Sequence, residues 1–226
     1  MSSLFGAGVR AQPFRCVASS RSAVLCCSGT YDESIDHLSG RFRRNISRLE
    51  RRASRRGKIT CEFIRERSAL QHAIQEFIEV EDDGWKGEEG TSIASESRLT
   101  RFYTRLVENS SDADQWQVNF LRIGQQALAS HFGVVSGDTY YILKIGYRER
   151  FADLGPGNLL LKHLIDRLCR DKRVRQICFV TDPDWAAKWK SDSLPLYSYV
   201  AYARSLRGSL MGLRKAIRDR WILDSQ

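Results

Sequence analysis

The spacing of apolar residues along the chain predicts several amphipathic helices. Phe42, Ile46, Leu49 and Ala53 recur at steps of three and four residues, so they fall on one side of a helix that Gly57 ends. The same spacing predicts further helices over 70–78, 99–107 and 161–168. Ser68 and Gln71 have the spacing of a capping box, which predicts that the helix over 70–78 opens there.

Apolar runs and alternating positions predict the strands. Three of them, at 117–123, 127–135 and 139–147, are separated by short turn sequences and predict an antiparallel meander. Further strands are predicted at 14–17, 23–27, 60–65, 174–181 and 196–203, followed by a basic helix over 208–221. A helical crossover lies between 139–147 and 174–181, which favours a parallel pair. The fold class is therefore α/β, a mixed and mostly antiparallel sheet flanked by helices.

The basic composition of the chain favours an anionic partner. The chain of 226 residues carries a formal net charge of +9, which favours binding of a nucleotide, phosphate, nucleic acid or membrane surface. No apolar run is long enough to span a membrane, and the first 28 residues lack the features of a signal peptide. The six cysteines show no zinc or disulfide spacing. We expect a cytoplasmic protein with reduced thiols and no membrane span.

Histidine and aspartate positions give no metal-binding pattern. His37, His72 and His163 form no known ligand motif, so no metal is predicted. His131 lies in a predicted central strand, where a single histidine is more often packed and hydrogen-bonded than catalytic.

The predicted helix over 41–56 is unusually basic. Its polar positions hold eight arginines, which are Arg41, Arg43, Arg44, Arg48, Arg51, Arg52, Arg55 and Arg56. They could neutralise phosphates of RNA or of a membrane surface. The favoured alternative is a solvated helix paired in part with Glu50, Glu62 and Glu66, because no aromatic residues for base stacking are interleaved.

The strongest chemical signal is the segment Gly155-Pro156-Gly157 between a strand and a helix. Glycines allow backbone N–H groups to approach a pyrophosphate, and the helix N-terminus adds partial positive charge. Arg148 and Arg150 lie just upstream and could add contacts to an anion. The alternative is an ordinary tight turn before a helix.

An acidic segment, 79–87, is the second candidate site. Clustered carboxylates can accept a proton during a reaction, and Glu81 is the preferred carboxylate because it follows the apolar face just before the turn. Asp82, Trp85 and Lys86 are candidates for binding a substrate. A solvated acidic loop anchored by the tryptophan is the alternative.

These elements and motifs resemble the GNAT acyltransferase superfamily. Within it they resemble the FemAB-like, CelD-type acetyltransferases associated with cellulose and exopolysaccharide gene clusters. The resemblance covers roughly Leu38 to Trp189 and rests on GRFRRNISRLERRASRRGKI, FIEVEDDGWKGEEGTSIA, LRIGQQALASHFGVVSGDTYYILKIGYRERFADLGPGNLLLKHLI and DPDWAAKWK.

The resemblance implies an enzyme that transfers an acyl group, with acetyl-CoA as donor, to an amine acceptor that is a small molecule or a glycan precursor. Acyl-CoA would lie between two splayed parallel strands, and its pyrophosphate would sit on the loop before the leucine-rich helix. Glu81 and Tyr147 are the catalytic candidates, although DPDWAAKWK lacks the tyrosine that many relatives use as general acid. The implied donor-binding residues are Lys144, Ile145, Gly146, Arg150, Phe151, Gly155, Gly157, Asn158 and Leu159.

The resemblance also suggests a division of the chain. We expect an incomplete N-terminal extension at 1–40, a basic linker helix at 41–58, an acyltransferase domain at 59–206 and a basic C-terminal helix at 207–226. Enzymes of this branch usually carry another acyltransferase-like half before the basic linker helix, which here is expected at 41–58 and is called the arginine helix below. Arg148 also stands where an acidic residue is expected. The alternatives are an aminoacyl-tRNA-dependent transferase of the FemAB kind and a catalytically silent phosphate- or RNA-binding module.

Overall fold

The computed structural model describes residues 15–27, 29–109 and 115–200, together with Ser205, Gly208 and Met211. The chain divides into a larger compact unit, Arg21–Leu194, and a smaller one that combines Met1–Ser20 with Pro195–Gln226. The helix predicted over 208–221 lies outside the described residues, apart from its two isolated positions. The site described below belongs to the larger unit.

The described residues form strands, α-helices and 3₁₀ helices. The strands are β1 (Arg15–Cys26), β2 (Ile59–Ile64), β3 (Trp116–Ile123), β4 (Gln126–Ser136), β5 (Thr139–Tyr147), β6 (Gln176–Cys178) and β7 (Asp192–Val200). The α-helices are α1 (Tyr31–Asp36), α2 (Gly40–Ser54), α3 (Arg67–Asp82), α4 (Trp85–Glu88), α5 (Ser97–Glu108) and α6 (Pro156–Arg170). Two 3₁₀ helices cover Glu149–Leu154 and Asp184–Trp189.

The strands form one mixed sheet in the order β2-β3-β4-β5-β6-β1-β7. The run from β2 to β5 is antiparallel, β6 is parallel to β5, and β1 is antiparallel to β6. This confirms the predicted meander, the parallel step across α6 and the mixed α/β class.

Helices cover both faces of the sheet. One core cluster joins α2 and α6 to the sheet, and the other joins α3 to the opposite face, with α5 packed against it. Ile46, Leu49 and Ala53 are buried in α2, as their spacing predicts, and Phe42 is half-buried beside them. The serine before the helix, Ser39, caps it by accepting a hydrogen bond from the Phe42 N–H.

Two predicted helix starts differ from the structure. The capping box at Ser68 and Gln71 is wrong, because α3 begins at Arg67 after Glu66, with no side-chain cap. Conversely, apolar spacing does not predict α1, whose signal is a different capping box. The Thr30 hydroxyl accepts from the Glu33 N–H, and the Glu33 carboxylate accepts from the Thr30 N–H at 2.7 Å.

The strand bounds differ at the far side of the sheet. The separate strands predicted at 14–17 and 23–27 are one continuous strand, β1. The strand predicted over 174–181 is only three residues long in β6, because the chain after Cys178 turns away from β5. This early end of β6 creates the site.

Two findings on the described ranges concern membrane-spanning helices and the cysteines. None of the helices described there has the length and apolar character that crossing a membrane requires. Among the described cysteines, Cys27, Cys61, Cys169 and Cys178 are free thiols, and Cys27 is buried.

Candidate functional site

The sheet opens into a cleft between β5 and β6. These strands pair only where Thr139–Tyr141 face Gln176–Cys178. Beyond Cys178 the backbone bonds to β1 instead, since the Phe179 N–H donates to the Ala23 carbonyl at 2.9 Å. The second half of β5 is therefore left without a strand partner on this side, as far as the described ranges extend.

Backbone groups of β5 face this cleft at alternate residues. The Arg148 N–H donates to the Leu128 carbonyl of β4 at 2.9 Å. Because ladder bonds alternate along an antiparallel strand, Ile145 and Tyr147 turn their N–H and C=O groups to the open side. In agreement, the Ile145 carbonyl accepts a hydrogen bond from the Lys86 ammonium at 2.8 Å rather than from β4.

A left-handed glycine forms the turn that enters α6. Gly155 has φ 58° and ψ 48° and precedes Pro156, the first residue of the helix. A Cβ at Gly155 would lie 2.7 Å from Leu49 Cδ1, so this position also needs glycine for close contact with α2. The predicted glycine turn is thus packed directly against the arginine helix.

The first turn of α6 is open to an anion. It has no side-chain cap and no acidic residue, so its free N–H groups and helix dipole are not neutralised locally. A Cβ at Gly157 would meet no heavy atom within 4 Å. The space that a side chain would fill is therefore available to a ligand.

A cavity of about 260 Å³ joins the cleft to this turn. Its volume lies slightly below the roughly 300–1,000 Å³ usual for ligand pockets. Its walls come from the α3–α4 segment, β4, β5, the start of α6 and Trp185. The lining residues are Glu81, Gly84, Trp85, Lys86, His131, Ile145, Gly146, Tyr147, Ala152, Gly155, Pro156, Gly157, Asn158, Leu161 and Trp185.

Most of the residues predicted from the sequence meet in this cavity. The structure brings together Glu81, Trp85, Lys86, Ile145, Gly146, Tyr147, Gly155, Gly157 and Asn158. Lys144 and Tyr147 are three residues apart on β5, so they lie on opposite faces of a regular strand. The irregularity in the β4–β5 pairing precedes Lys144, so it does not bring the two together.

The remaining predicted residues do not line the cavity. Leu159 is fully buried in the core, and the Lys144 ammonium lies 6.0 Å from the centre of the Tyr103 ring. Arg150 is exposed, with its guanidinium 5.2 Å from the centre of the Phe151 ring. The Asp82 carboxylate accepts from the Ser92 hydroxyl at 2.6 Å and so holds the loop after α4.

Glu81 is the buried carboxylate of the cavity, with 1% of its surface exposed. One oxygen accepts from the Lys86 ammonium at 2.8 Å, and the other accepts from the Ile93 N–H at 2.9 Å. Gly146 allows this arrangement, because a Cβ there would lie 2.7 Å from the Glu81 Cα. The end of α3 can therefore lie directly on β5, which places the carboxylate beside the cleft.

Tyr147 and Arg148 follow on the same strand with different roles. Burial, followed by the negative charge of Glu149, raises the pKa of Tyr147 above its ordinary value, so its hydroxyl stays protonated at neutral pH. Arg148 lies outside the cavity lining. Its guanidinium pairs with Asp83 at 2.6 Å and donates to the Ala127 carbonyl, which fastens the end of α3 to the sheet.

His131 is a cavity residue that the sequence analysis set aside. It is 4% exposed on β4, and its Nδ1 is buried without a hydrogen-bond partner. The expected packing of His131 is therefore confirmed, but its Nδ1 does not make the expected hydrogen bond. Burial lowers the pKa of His131 to about 3, so the imidazole is neutral at physiological pH. Only the pairing of β4 with β5, which the sequence does predict, could have indicated its place beside Ile145.

Acid should destabilise the protein through His131. Its folded pKa of about 3 lies below the unfolded value, so this stability is present above pH 6.5 and is lost as the pH falls. Between pH 7 and pH 5 the loss amounts to about 2 kcal/mol. Urea unfolding at both pH values should show this loss in the wild type and not in His131→Asn, while His163 stays the same in both. Equal losses in the two proteins would contradict the assignment.

The described residues offer no group of three or more His, Cys, Asp or Glu side chains arranged to hold a metal ion. The site is instead a cleft in an open sheet beside an uncapped helix N-terminus. Together with the flanking helices, this defines a GNAT-like acyltransferase fold.

The sequence agrees with this class. It matches the family model of the acetyltransferase (GNAT) domain over residues 40–191, and the chain belongs to this family. A comparison with curated protein sequences gave no match.

Solved structures share the fold at low sequence identity. The chain is similar to FemX, with a TM-score of 0.58, 13% identity and coverage of 76% of this chain and 59% of FemX. The C-terminal domain of a putative lysylphosphatidylglycerol synthetase from Agrobacterium fabrum has a TM-score of 0.54, 15% identity and coverage of 88% and 65%. L-PGS from Bacillus licheniformis has a TM-score of 0.52, 13% identity and the same coverage. The chain therefore spans less than two thirds of each of these structures.

Proposed function

We propose that the chain transfers an acyl group, acetyl from acetyl-CoA in the first instance, from a CoA thioester to an amine. The observation that carries this proposal is the cavity between the open half of β5 and the uncapped start of α6, where Gly157 leaves room for a ligand. Membership of the GNAT family supports the same donor class.

The donor would be held by backbone groups. The outward N–H and C=O groups of Ile145 and Tyr147 suit the amides of a pantetheine arm, which would add to the sheet like a short strand. The N–H groups at the start of α6 suit the pyrophosphate, and the Asn158 side chain lines the cavity beside them. The thioester would then lie toward Glu81 and Lys86.

The reaction would be a direct attack in a ternary complex. The acceptor nitrogen bonds to the thioester carbonyl carbon, the carbon–sulfur bond breaks, and the amine proton passes to the Glu81 carboxylate. A carboxylate has about four lone-pair sites, of which Lys86 and Ile93 use two, so acceptor capacity remains. The departing thiolate takes a proton from the Tyr147 hydroxyl or from water.

The acceptor would enter past Trp85. This side chain lines the cavity and is 47% exposed, so its ring offers a flat apolar surface at the entrance. Such a surface suits the face of a sugar ring. The resemblance to CelD-type enzymes points the same way, toward an amino sugar or a polysaccharide precursor.

A transfer assay tests the proposal. Purified protein is incubated with acetyl-CoA and a panel of amines that includes glucosamine, and release of free thiol and formation of the amide are measured. Aminoacyl-tRNA replaces acetyl-CoA in a second set of reactions. Amide formed from acetyl-CoA supports the proposal, whereas transfer only from aminoacyl-tRNA would support the FemAB-like alternative. No transfer from either donor would favour the silent binding module.

A further inference from the structure

Helix α2 carries its arginines in two different electrostatic settings. On its flanks, Arg43 pairs with Asp36 at 3.1 Å, and Arg52 and Arg56 pair with Asp153 at 2.6 Å and 2.9 Å. These three arginines are paired with two carboxylates of the same molecule. They fasten α2 to its surroundings and need no ligand.

Two of the three carboxylates expected to pair with the arginines have other partners. Glu50 pairs with Lys162, and Glu62 pairs with Arg122. Glu66 is the residue before α3. Among the described residues no ion pair joins these glutamates to the arginines of α2, so the expected pairing is not found there.

The second set is Arg41, Arg44 and Arg48. Steps of three and four residues place them along one side of α2. Arg48 donates one hydrogen bond to Asn45 Oδ1 at 2.9 Å. Across the described parts of the chain, no carboxylate lies within ion-pair distance of these three arginines.

These arginines line a second cavity, of about 700 Å³. Lys188 from the 3₁₀ helix Asp184–Trp189 and Phe42 also line it, and its described lining contains no carboxylate. Four like charges around one cavity repel one another unless an anion lies between them. Arginine forks suit phosphate in particular, because they bind two of its oxygens at once.

The cavity lined by the arginines adjoins the turn at Gly155 and Gly157, because Asn158 lines both this cavity and the one beside β5. The Trp189 indole N–H donates to Asn158 Oδ1 at 3.1 Å, which fixes the amide and leaves its N–H donors for a ligand. The contact between Leu49 and Gly155 holds α2 against the same turn. A ligand with a pyrophosphate at α6 can therefore continue directly toward the arginines.

We propose that the cavity lined by Arg41, Arg44, Arg48 and Lys188 binds the 3′-phosphoadenosine end of the CoA donor. This inference rests on the proposed function. CoA carries a pyrophosphate in its middle and a phosphomonoester on its adenosine ribose, and that monoester bears a charge of about −1.5 to −2 at pH 7. The pyrophosphate would lie at the start of α6, and the 3′-phosphate would lie among the arginines. Phe42 supplies an apolar wall for the adenosine.

The test compares CoA with dephospho-CoA, which differs only by the 3′-phosphate. Dissociation constants are measured by calorimetry at one fixed ionic strength of about 0.15 M, since charged contacts are screened by salt. The variant Arg41→Gln/Arg44→Gln/Arg48→Gln is compared with Arg43→Gln/Arg51→Gln/Arg55→Gln. The control removes the same charge from α2 and its C-cap residue, Arg55, but changes no residue of the cavity lining.

We expect the wild type and the control to bind CoA about tenfold or more tightly than dephospho-CoA, as one strong charged contact would give. The cavity variant should bind the two within about threefold of each other, with its affinity for dephospho-CoA unchanged. That unchanged affinity also shows that the variant is folded. Equal binding of both ligands by the wild type, or a preference that survives in the cavity variant, would overturn the inference and leave the donor site intact.

Two further outcomes also decide against the inference. If neither ligand binds the wild type, the proposed function fails together with it. A short RNA hairpin serves as the second probe. If RNA binds with steep salt dependence, the cavity variant loses that binding and CoA shows no preference over dephospho-CoA, the arginines serve nucleic acid instead.

Discussion

Replacing Gly157 by glutamate should abolish CoA binding and leave the fold at least as stable as the wild type. Gly157 is the second residue of α6, and a Cβ there meets no heavy atom within 4 Å. A carboxylate in the first turn of a helix stabilises it by about 0.3–1 kcal/mol, and replacing glycine within a helix adds a similar amount. The same carboxylate would repel a pyrophosphate, and we expect affinity to fall at least about 100-fold.

Gly157→Gln is the matched control, because it has the same shape without the charge. Calorimetry with CoA and urea unfolding are measured on Gly157→Ala, Gly157→Gln and Gly157→Glu. Affinity should fall in that order while the free energy of unfolding stays level or rises. Wild-type affinity in Gly157→Glu would show that the pyrophosphate does not lie at this turn.

Gly155 is unsuitable for the same experiment. Its left-handed backbone and its contact with Leu49 mean that any side chain is strained there. We expect Gly155→Ala to lose about 2–4 kcal/mol of unfolding free energy, from backbone strain and overpacking together. A loss of CoA binding in that variant would therefore not distinguish partial unfolding from loss of the binding site.

Replacing Glu81 by glutamine should lower kcat by about 10²- to 10⁴-fold, the usual contribution of a general base. Affinity for CoA should stay within about twofold, because the phosphates lie at the other end of the cavity. Glutamine keeps an acceptor for the Ile93 N–H but leaves the Lys86 ammonium without its counterion. The cost in stability is expected to be about 1–3 kcal/mol.

The double variant Glu81→Gln/Lys86→Gln separates catalysis from stability. It removes both charges of the ion pair, so it should regain much of the stability that Glu81→Gln loses. Its kcat should remain as low as that of the single variant. If the double variant regains activity together with stability, Glu81 is a structural partner of Lys86 and not the base.

Local sequence signals were sufficient for much of the fold. The stripe from Phe42 to Ala53, the strands of the meander and the glycine turn at Gly155 each depend on residues close together in the chain, and the structure places all three as predicted. The early end of β6 could not be predicted in this way. It follows from the hydrogen bond that the Phe179 N–H donates to the Ala23 carbonyl, and these two residues are distant in sequence.

The site was predictable to the extent that its residues lie next to a recognisable turn or strand end. Glu81 and Gly157 qualify, and both line the cavity. His131 did not, because its position depends on which strand lies beside it. The sequence could not show which arginines of the basic helix lack an ion-pair partner. Arg52 and Arg56, for example, pair with Asp153, which is far along the chain.

The central claim is that the cleft beside α6 binds a CoA thioester. Thermal unfolding of the purified chain with increasing acetyl-CoA tests it most directly. Ligand at about 100 times its dissociation constant adds roughly 2.7 kcal/mol to the stability of a protein that binds it only when folded. For a chain of this size that corresponds to a rise in Tm of about 5–10 °C. We predict such a rise with both acetyl-CoA and CoA, whereas an unchanged Tm at millimolar concentrations of either would contradict the account.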